Sequence, residues 1–205
     1  MAYDYDKTHA RIMESAANRF MEDGFAGASV RQICKDAGVT NGAFYAHFES
    51  KEDLFAKLVE PALGGLRELY GSETSRYMEI SSAKDVRAAL DQTFSTDEAV
   101  IRYVYEQADA FRLLLTASSG TSYGHFKEQI VEAEKEETTA FFELCAPYVA
   151  KPENMSDSLA AQTSSLVVSA IFDCLLSGAS EEEAVRETQL VSEFCLAGLK
   201  QVWGI

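Results

Sequence analysis

The sequence predicts an all-α protein in two parts, a small three-helix domain holding a helix-turn-helix and then a larger helical domain. Three observations lead there. Only three of the 205 residues are proline, while Ala, Leu, Glu and Ser abound. No window alternates apolar and polar residues for long in the manner of a strand. Residues 29–51, SVRQICKDAGVTNGAFYAHFESK, read as two short helices around a tight turn, the geometry that lays a helix in the major groove of DNA.

In chain order, a first helix is expected from about Lys7 to Asp23, with Ile12, Ala16 and Phe20 at spacing four on its core face, and Gly24 stopping it. Ser29 is a good N-cap for a second helix, whose apolar stripe is Val30, Ile33, Cys34 and Ala37. Gly38 can take the left-handed conformation that ends it, and Val39 plugs the angle of the turn. Thr40 can cap a third helix opening with Asn41, Gly42 and Ala43, residues too small to pack a core but small enough for close approach to a ligand. Ser50 caps a fourth helix with Leu54, Phe55, Leu58 and Val59 apolar; Pro61 kinks it and Gly64-Gly65 weakens its end.

Downstream, Gly71–Ser82 reads as a loop, then a short helix from Ala83 to Phe94. A fresh start at Thr96-Asp97-Glu98 runs to Leu115, and Ser118–Thr121 breaks the pattern. A long helix spans about Tyr123–Cys145 and ends before Pro147; its acidic stretch 132–137 reads as a solvated face. Two final helices, about 156–176 and 181–203, follow Pro152 and Asn154. The first is apolar or small nearly all round and needs cover on every side. The second aligns Val191, Phe194, Cys195, Gly198, Leu199 and Val202. These two helices are expected to form a homodimer interface, a four-helix bundle across a two-fold axis. An ordinary internal core is the alternative.

The net charge is −15. Residues 1–60 hold seven Lys and Arg against ten Asp and Glu, so the acidity lies mainly in residues 61–205. A local positive face survives this, because exposed charges more than about 10 Å away are largely screened at 0.1 M salt. The four cysteines (34, 145, 174 and 195) lack CxxC or nearby-His spacing and read as reduced, buried small hydrophobes. The N-terminus has no signal-peptide core. The most apolar run, 166–176, is too short to span a bilayer and contains Asp173, so a cytoplasmic protein without membrane contact is expected.

Residues 9–60 resemble the DNA-binding domain of TetR-type transcriptional regulators. The match is carried by RIMESAANRFMEDGF (11–25), Ser-Val-Arg, Ala-Gly-Val-Thr, Gly-Ala-Phe-Tyr-Ala-His-Phe (42–48) and Ser-Lys-Glu-Asp-Leu (50–54). The resemblance implies DNA contacts at Ser29, Arg31, Thr40, Asn41, Gly42, Ala43, Tyr45, His47 and Lys51. Arg31 would fork a phosphate or guanine edge and Asn41 would pair with adenine. Phe44 and Phe48 are expected in the core. Two positions depart from the family: Asn41 stands where Lys is frequent, and Ala43 where Thr or Ser is. The reading face thus has one charge and one hydroxyl fewer, which predicts a shallower salt dependence.

The same resemblance implies a division into a DNA-binding domain, 1–60, and a ligand-binding and dimerisation domain, 61–205. The inferred regulator is a repressor released from an inverted-repeat operator by a small-molecule effector, with no cofactor and no metal. Candidate lining residues are Phe94, Tyr103, Tyr105, Glu106, Phe111, Phe141, Tyr148 and Phe172. Glu106, Asp109 and Asp173 lie in apolar stretches and would need a partner if buried, either a ligand or an arginine such as Arg102 or Arg112. An enzyme fits poorly: the three His (9, 47 and 125) are far apart, and no phosphate-cradling Gly loop, His/Cys metal spacing or nucleophile elbow occurs. A helical adaptor using the motif to bind protein is the other alternative.

Overall fold

The computed structural model describes residues 2–71 and 80–205, with side chains described outside 2–4, 70–71 and 92–97. Among the described residues there are helices and turns but no strand. They group into two compact units, each described by itself: residues 2–65 with Gln107–Phe126, and the described parts of 66–106 with 127–205.

In the first unit, α1 (Ala2–Gly27) is longer than expected at both ends, though Gly24 does interrupt it (φ 69°, ψ 167°). Ile12, Ala16 and Phe20 are fully buried, as the spacing predicts. Helix α2 (Val30–Ala37) is capped by Ser29 and ends at Gly38 in the left-handed region (φ 62°, ψ 39°). Helix α3 (Asn41–Tyr45) is capped by Thr40. Helix α4 (Lys51–Gly71) passes through Pro61. Its start carries a reciprocal cap: Asp53 N donates to Ser50 Oγ at 3.0 Å, and Glu49 N donates to Asp53 Oδ2 at 3.0 Å. Phe20, Phe25 and Phe55 meet at centroid distances of 5.3–5.7 Å. The fully buried Phe20 and Phe55 rings each contribute about 1.5–3 kcal/mol relative to exposure, while Phe25 is half-buried. Together with Phe44, Phe48, Leu54 and Val59 they form the apolar centre under α2 and α3.

The same unit holds α6 (Ala108–Arg112), followed by a π-helical turn over Leu113–Ala117 that packs on α1 through Leu113, Leu114 and Ala117. Sequence reading ran one helix from Thr96 to Leu115. Instead, Gln107 leaves helical geometry (φ −105°, ψ 29°), and nothing in the structure explains why it does so there. The break expected at Ser118–Thr121 is present. Tyr123, two residues beyond it, donates to Glu60 Oε1 at 2.7 Å.

In the second unit, α5 (Ala83–Glu106) is a single helix where two were expected: the Thr96-Asp97-Glu98 start does not interrupt the backbone. Most of the loop expected at 71–82 lies outside the described residues. Helix α7 (Phe126–Cys145) begins three residues later than expected and gives way to a 3₁₀ turn, Ala146–Tyr148, at Pro147. On it Glu132, Glu136 and Glu137 are exposed, the solvated face the sequence suggested. A second 3₁₀ turn, Pro152–Asn154, precedes α8 (Asp157–Ser177) and α9 (Glu181–Trp203), which keep the expected limits within a residue. Local chemistry explains that agreement: Ser156 and Ser180 cap the starts, and Gly178 and Gly204 take left-handed ends. The core gathers Val86, Leu90, Phe142, Cys145, Ala160 and Leu199 around Trp203, which Phe142 meets edge-on at 4.8 Å. Burial pushes the Cys145 thiol up to about 12, so it stays protonated and packs as a small apolar group. Cys34 and Cys195 are also buried, while Cys174 is half-buried.

Helix α9 corrects the single face read from sequence. Its buried stripe is Ala184, Thr188, Ser192, Cys195, Leu199 and Trp203. Leu190 (54 % exposed) and Phe194 (74 %) face outward, and Val202 (39 %) lies at the margin of the buried stripe. Adjacent residues on a helix point about 100° apart, so Phe194 and Cys195 belong to different faces. Leu166 and Leu176 are likewise exposed on α8. The whole of α8 is long and apolar enough to cross a bilayer, which the run 166–176 counted alone is not; a third of its most apolar window is buried and Asp173 is exposed on it.

Candidate nucleic-acid interface

Helix α3 is a single turn, and an isolated turn of helix does not hold itself in water. Three local features fix it. Gly38 turns the chain out of α2, with its N–H bonded to the Cys34 and Lys35 carbonyls. Thr40 Oγ1 accepts from Ala43 N at 3.1 Å. Phe44, fully buried, pins the turn to the core. The other side of α3 is left to solvent: Asn41, Gly42 and Tyr45 are exposed, and Ala43 is half-buried. A Cβ on Gly42 would meet only Thr40 Oγ1, at an ordinary 3.7 Å. The protein's own packing therefore does not demand glycine there, and the bare backbone serves close approach from outside.

Polar groups around this bare patch are unspent. The Asn41 side chain makes no hydrogen bond among the described residues, and Thr40 uses a lone pair for its cap, which leaves its hydroxyl proton to donate. Tyr45, 61 % exposed, packs its ring edge-on against Phe44 at 5.1 Å. Arg31 on α2 is exposed and forms no ion pair among the described residues. Lys35 lies four residues on, hence on the same face of α2, and is also exposed without an ion pair among the described residues. Sequence reading missed Lys35; the i, i+4 spacing from Arg31 was the available signal. Two exposed cations on α2, with two polar side chains and a phenol at the bare backbone of α3, suit a polyanion with readable edges.

The remaining expected contacts are differently placed. Ser29 Oγ accepts from Gln32 N at 3.2 Å and donates to Gln32 Oε1 at 2.8 Å, so reaching a phosphate means releasing Gln32. The Lys51 ammonium donates to the carbonyls of Phe25 (2.6 Å) and Ala28 (2.8 Å) and lies 4.2 Å from the Phe25 ring centre. One of its three N–H groups is left, and burial lowers its pKa. His47 packs under Tyr5 at 3.9 Å and beside His9 at 5.5 Å, with Nδ1 buried and unpartnered. Such partners, more than twenty residues away in sequence, leave no local trace.

His47 yields a pH prediction. Burial first, and His9 second, hold its pKa below the ordinary 6.5. From about 6.5 downward the unfolded chain therefore binds more protons than the folded one, and stability present above that pH is lost as it falls. Between about pH 7.5 and 5.5 the wild type should lose more stability than His47→Gln in urea unfolding. Equal losses would remove His47 as the cause.

The expected ligand-lining residues are divided between the two units. Phe94 lies outside the described side chains. Phe111 is buried in the first unit, 6.1 Å from Phe126. In the second unit Phe141 and Tyr148 belong to the Trp203 cluster, Phe172 is buried on α8, and Tyr105 donates to the Ala179 carbonyl at 3.1 Å. The Tyr103 hydroxyl is raised by burial and then by Glu106 and Glu68. The idea of a buried carboxylate is corrected: Glu106 and Asp109 are exposed, and Asp173 is exposed and pairs with Lys127 at 3.1 Å. Arg102 binds Glu98 and Glu181, both at 2.6 Å.

Comparison with known proteins agrees with this geometry. Residues 12–58 match the bacterial regulatory proteins of the tetR family. An uncharacterized HTH-type transcriptional regulator of Haemophilus influenzae is 26 % identical over 187 residues, 91 % of this chain and 84 % of that protein. The HTH-type transcriptional repressor KstR2 of Rhodococcus jostii is 35 % identical over 100 residues, 48 % of this chain and 42 % of its own length. Among solved structures, a TetR-like transcriptional regulator from Rhodococcus sp. RHA1 shares the fold at 17 % identity and a TM-score of 0.60, covering 94 % of this chain and 95 % of that one. NalD, the secondary repressor of a multidrug efflux pump in Pseudomonas aeruginosa, does so at 21 % and 0.59, covering 92 % and 95 %.

Proposed function

We propose that this chain, a TetR-family transcriptional regulator, binds an inverted-repeat operator as a homodimer and leaves it when a small molecule occupies its C-terminal portion. The carrying observation is the exposed, unspent set of Thr40, Asn41 and Tyr45 about the side-chain-free Gly42 on a pinned helix, with Arg31 exposed on the preceding α2. In this reading Arg31 and Tyr45 hold phosphates and Asn41 reads a base, with Ser29, Ala43, His47 and Lys51 at the edge of the contact. Repression is the named activity of KstR2 and NalD, which supports the same direction here.

The division of labour is DNA reading by residues 1–60 and effector binding and dimerisation by 61–205, in the cytoplasm. The outward stripes of α8 and α9 support pairing with a second copy, since an exposed apolar band of that kind marks an interaction site. Two copies then present their α3 helices to successive major grooves, about 34 Å apart. Helix α4 runs from the motif into the C-terminal portion and would carry the effector's influence, which extends only as far as its differential affinity for the two arrangements.

Selection from random duplex DNA with the purified protein tests the reading. An enriched inverted repeat is the expected outcome, and direct repeats alone or no enrichment contradict it. A compound that raises the melting temperature in a metabolite and drug screen should also weaken that complex. Tight binding without any effect on the operator complex would remove the proposed release.

A further inference from the structure

We propose that Arg11, Ser15 and Arg19 of α1 are positioning residues that set the pose of α3, and through it the discrimination between bases. The base-reading half rests on the DNA-binding function proposed above. The three residues stand four apart and so line one face of α1. All three grip the last turns of α2. Ser15 Oγ donates to the Ile33 carbonyl at 2.9 Å. Arg19 Nε donates to Asp36 Oδ2 at 2.5 Å, a charge-assisted bond that holds the Asp36 carboxyl below its ordinary range. Arg11 Nη2 donates to the carbonyls of Ala37 and, at 3.2 Å, Gly38.

Those carbonyls end a helix, where backbone acceptors lack partners within the helix and partial negative charge gathers. A guanidinium there answers both. Arg11 reaches the residue at which the chain turns: a Cβ on Gly38 would stand 2.6 Å from its Nη2. From Gly38 only Val39 and Thr40 separate α2 from α3. Within α3 only Phe44 is buried, with Phe48 buried just beyond its last turn, so the end that carries Asn41 is held through the Thr40 cap and the Gly38 turn. The three α1 side chains fix that end of the lever. A small rotation of α3 would carry Asn41 out of register with a base edge while leaving Arg31 free to find a phosphate. The expected signature is thus lost discrimination with phosphate contact retained.

Two readouts test this in the full chain. Arg11→Met keeps the aliphatic stem and removes both hydrogen bonds. In the free protein, amide exchange at Val39, Phe44 and Ala46–Phe48 should accelerate about tenfold or more, while amides of Leu54–Ala62 stay as protected as in the wild type. Arg11→Lys, which restores a donor, should recover part of the protection. On the motif selected by the wild type, Arg11→Met should lower the preference over a single-base variant about tenfold. The slope of log affinity against log salt should not change. A slope smaller by about one ion with preference intact would make Arg11 a phosphate contact and overturn the proposal. If Arg11→Met fails to fold, Ser15→Ala and Asp36→Asn carry the same test. Unchanged exchange at 39–48 overturns the inference whatever the DNA result. A wild type that selects no motif overturns the DNA reading itself.

Discussion

Phe194→Asp is expected to convert the protein to monomers and to weaken operator binding by about a hundred- to ten-thousandfold. Phe194 is the most exposed large apolar side chain among the described residues at 74 %, with Leu190 one turn before it on α9. At a two-fold interface one substitution acts twice, and near the axis it sets two carboxylates against each other. The buried stripe of α9 lies on another face, so the fold of each copy should survive. The size of the loss follows from linkage: two half-sites held by one dimer bind the second copy at an effective concentration that a monomer lacks. Sedimentation would show the halved mass and a gel shift the lost affinity. A variant that stays dimeric would move the interface elsewhere.

The second large effect separates two neighbours in sequence. Phe44→Ala should cost about 3–5 kcal/mol, because Phe44 is fully buried beneath α3 and touches the ring of Phe48 at 5.6 Å. That is a large share of the 5–15 kcal/mol typical of a folded domain, and operator binding should vanish with the fold of the motif. Tyr45→Ala, at a position 61 % exposed, should stay within about 0.5 kcal/mol of the wild type in stability, yet lose operator affinity about tenfold or more. Urea unfolding and gel shifts on both variants decide it. Equal stability losses would mean that Tyr45 belongs to the core.

What was legible in the sequence was what local chemistry specifies. Ser29, Gly38 and Thr40 mark the two helices of the motif because a cap or a left-handed turn involves only residues three or four apart. The same holds for Ser156, Gly178, Ser180 and Gly204. Local signals also misled: Thr96-Asp97-Glu98 has the composition of a helix start, yet α5 continues through it, since a capping residue inside a helix need not cap. The departure at Gln107 and the π-helical turn after it carry no residue signature. In α9 two apolar stripes run side by side, and only the packed structure tells which faces inward. Within the candidate site, the cap and the exposure of α3 could be read; the engagement of Lys51 with Phe25 and Ala28, and of His47 with Tyr5, could not.

The join between α8 and α9 has a consequence for the choice of mate. Only Gly178, Ala179 and Ser180 lie between the helices. Gly178 N–H bonds back to the end of α8, Ser180 and Glu183 bond each other's backbone, and Tyr105 holds the Ala179 carbonyl. The hairpin therefore has no slack to slide one helix along the other. Leu190 and Phe194 stand four residues apart, about 6 Å along the axis. A sister protein whose own band is displaced by two residues would present it some 200° around its helix and find nothing to seat against. In the homodimer proposed above, stiffness at one three-residue corner would thus discriminate against such a mate.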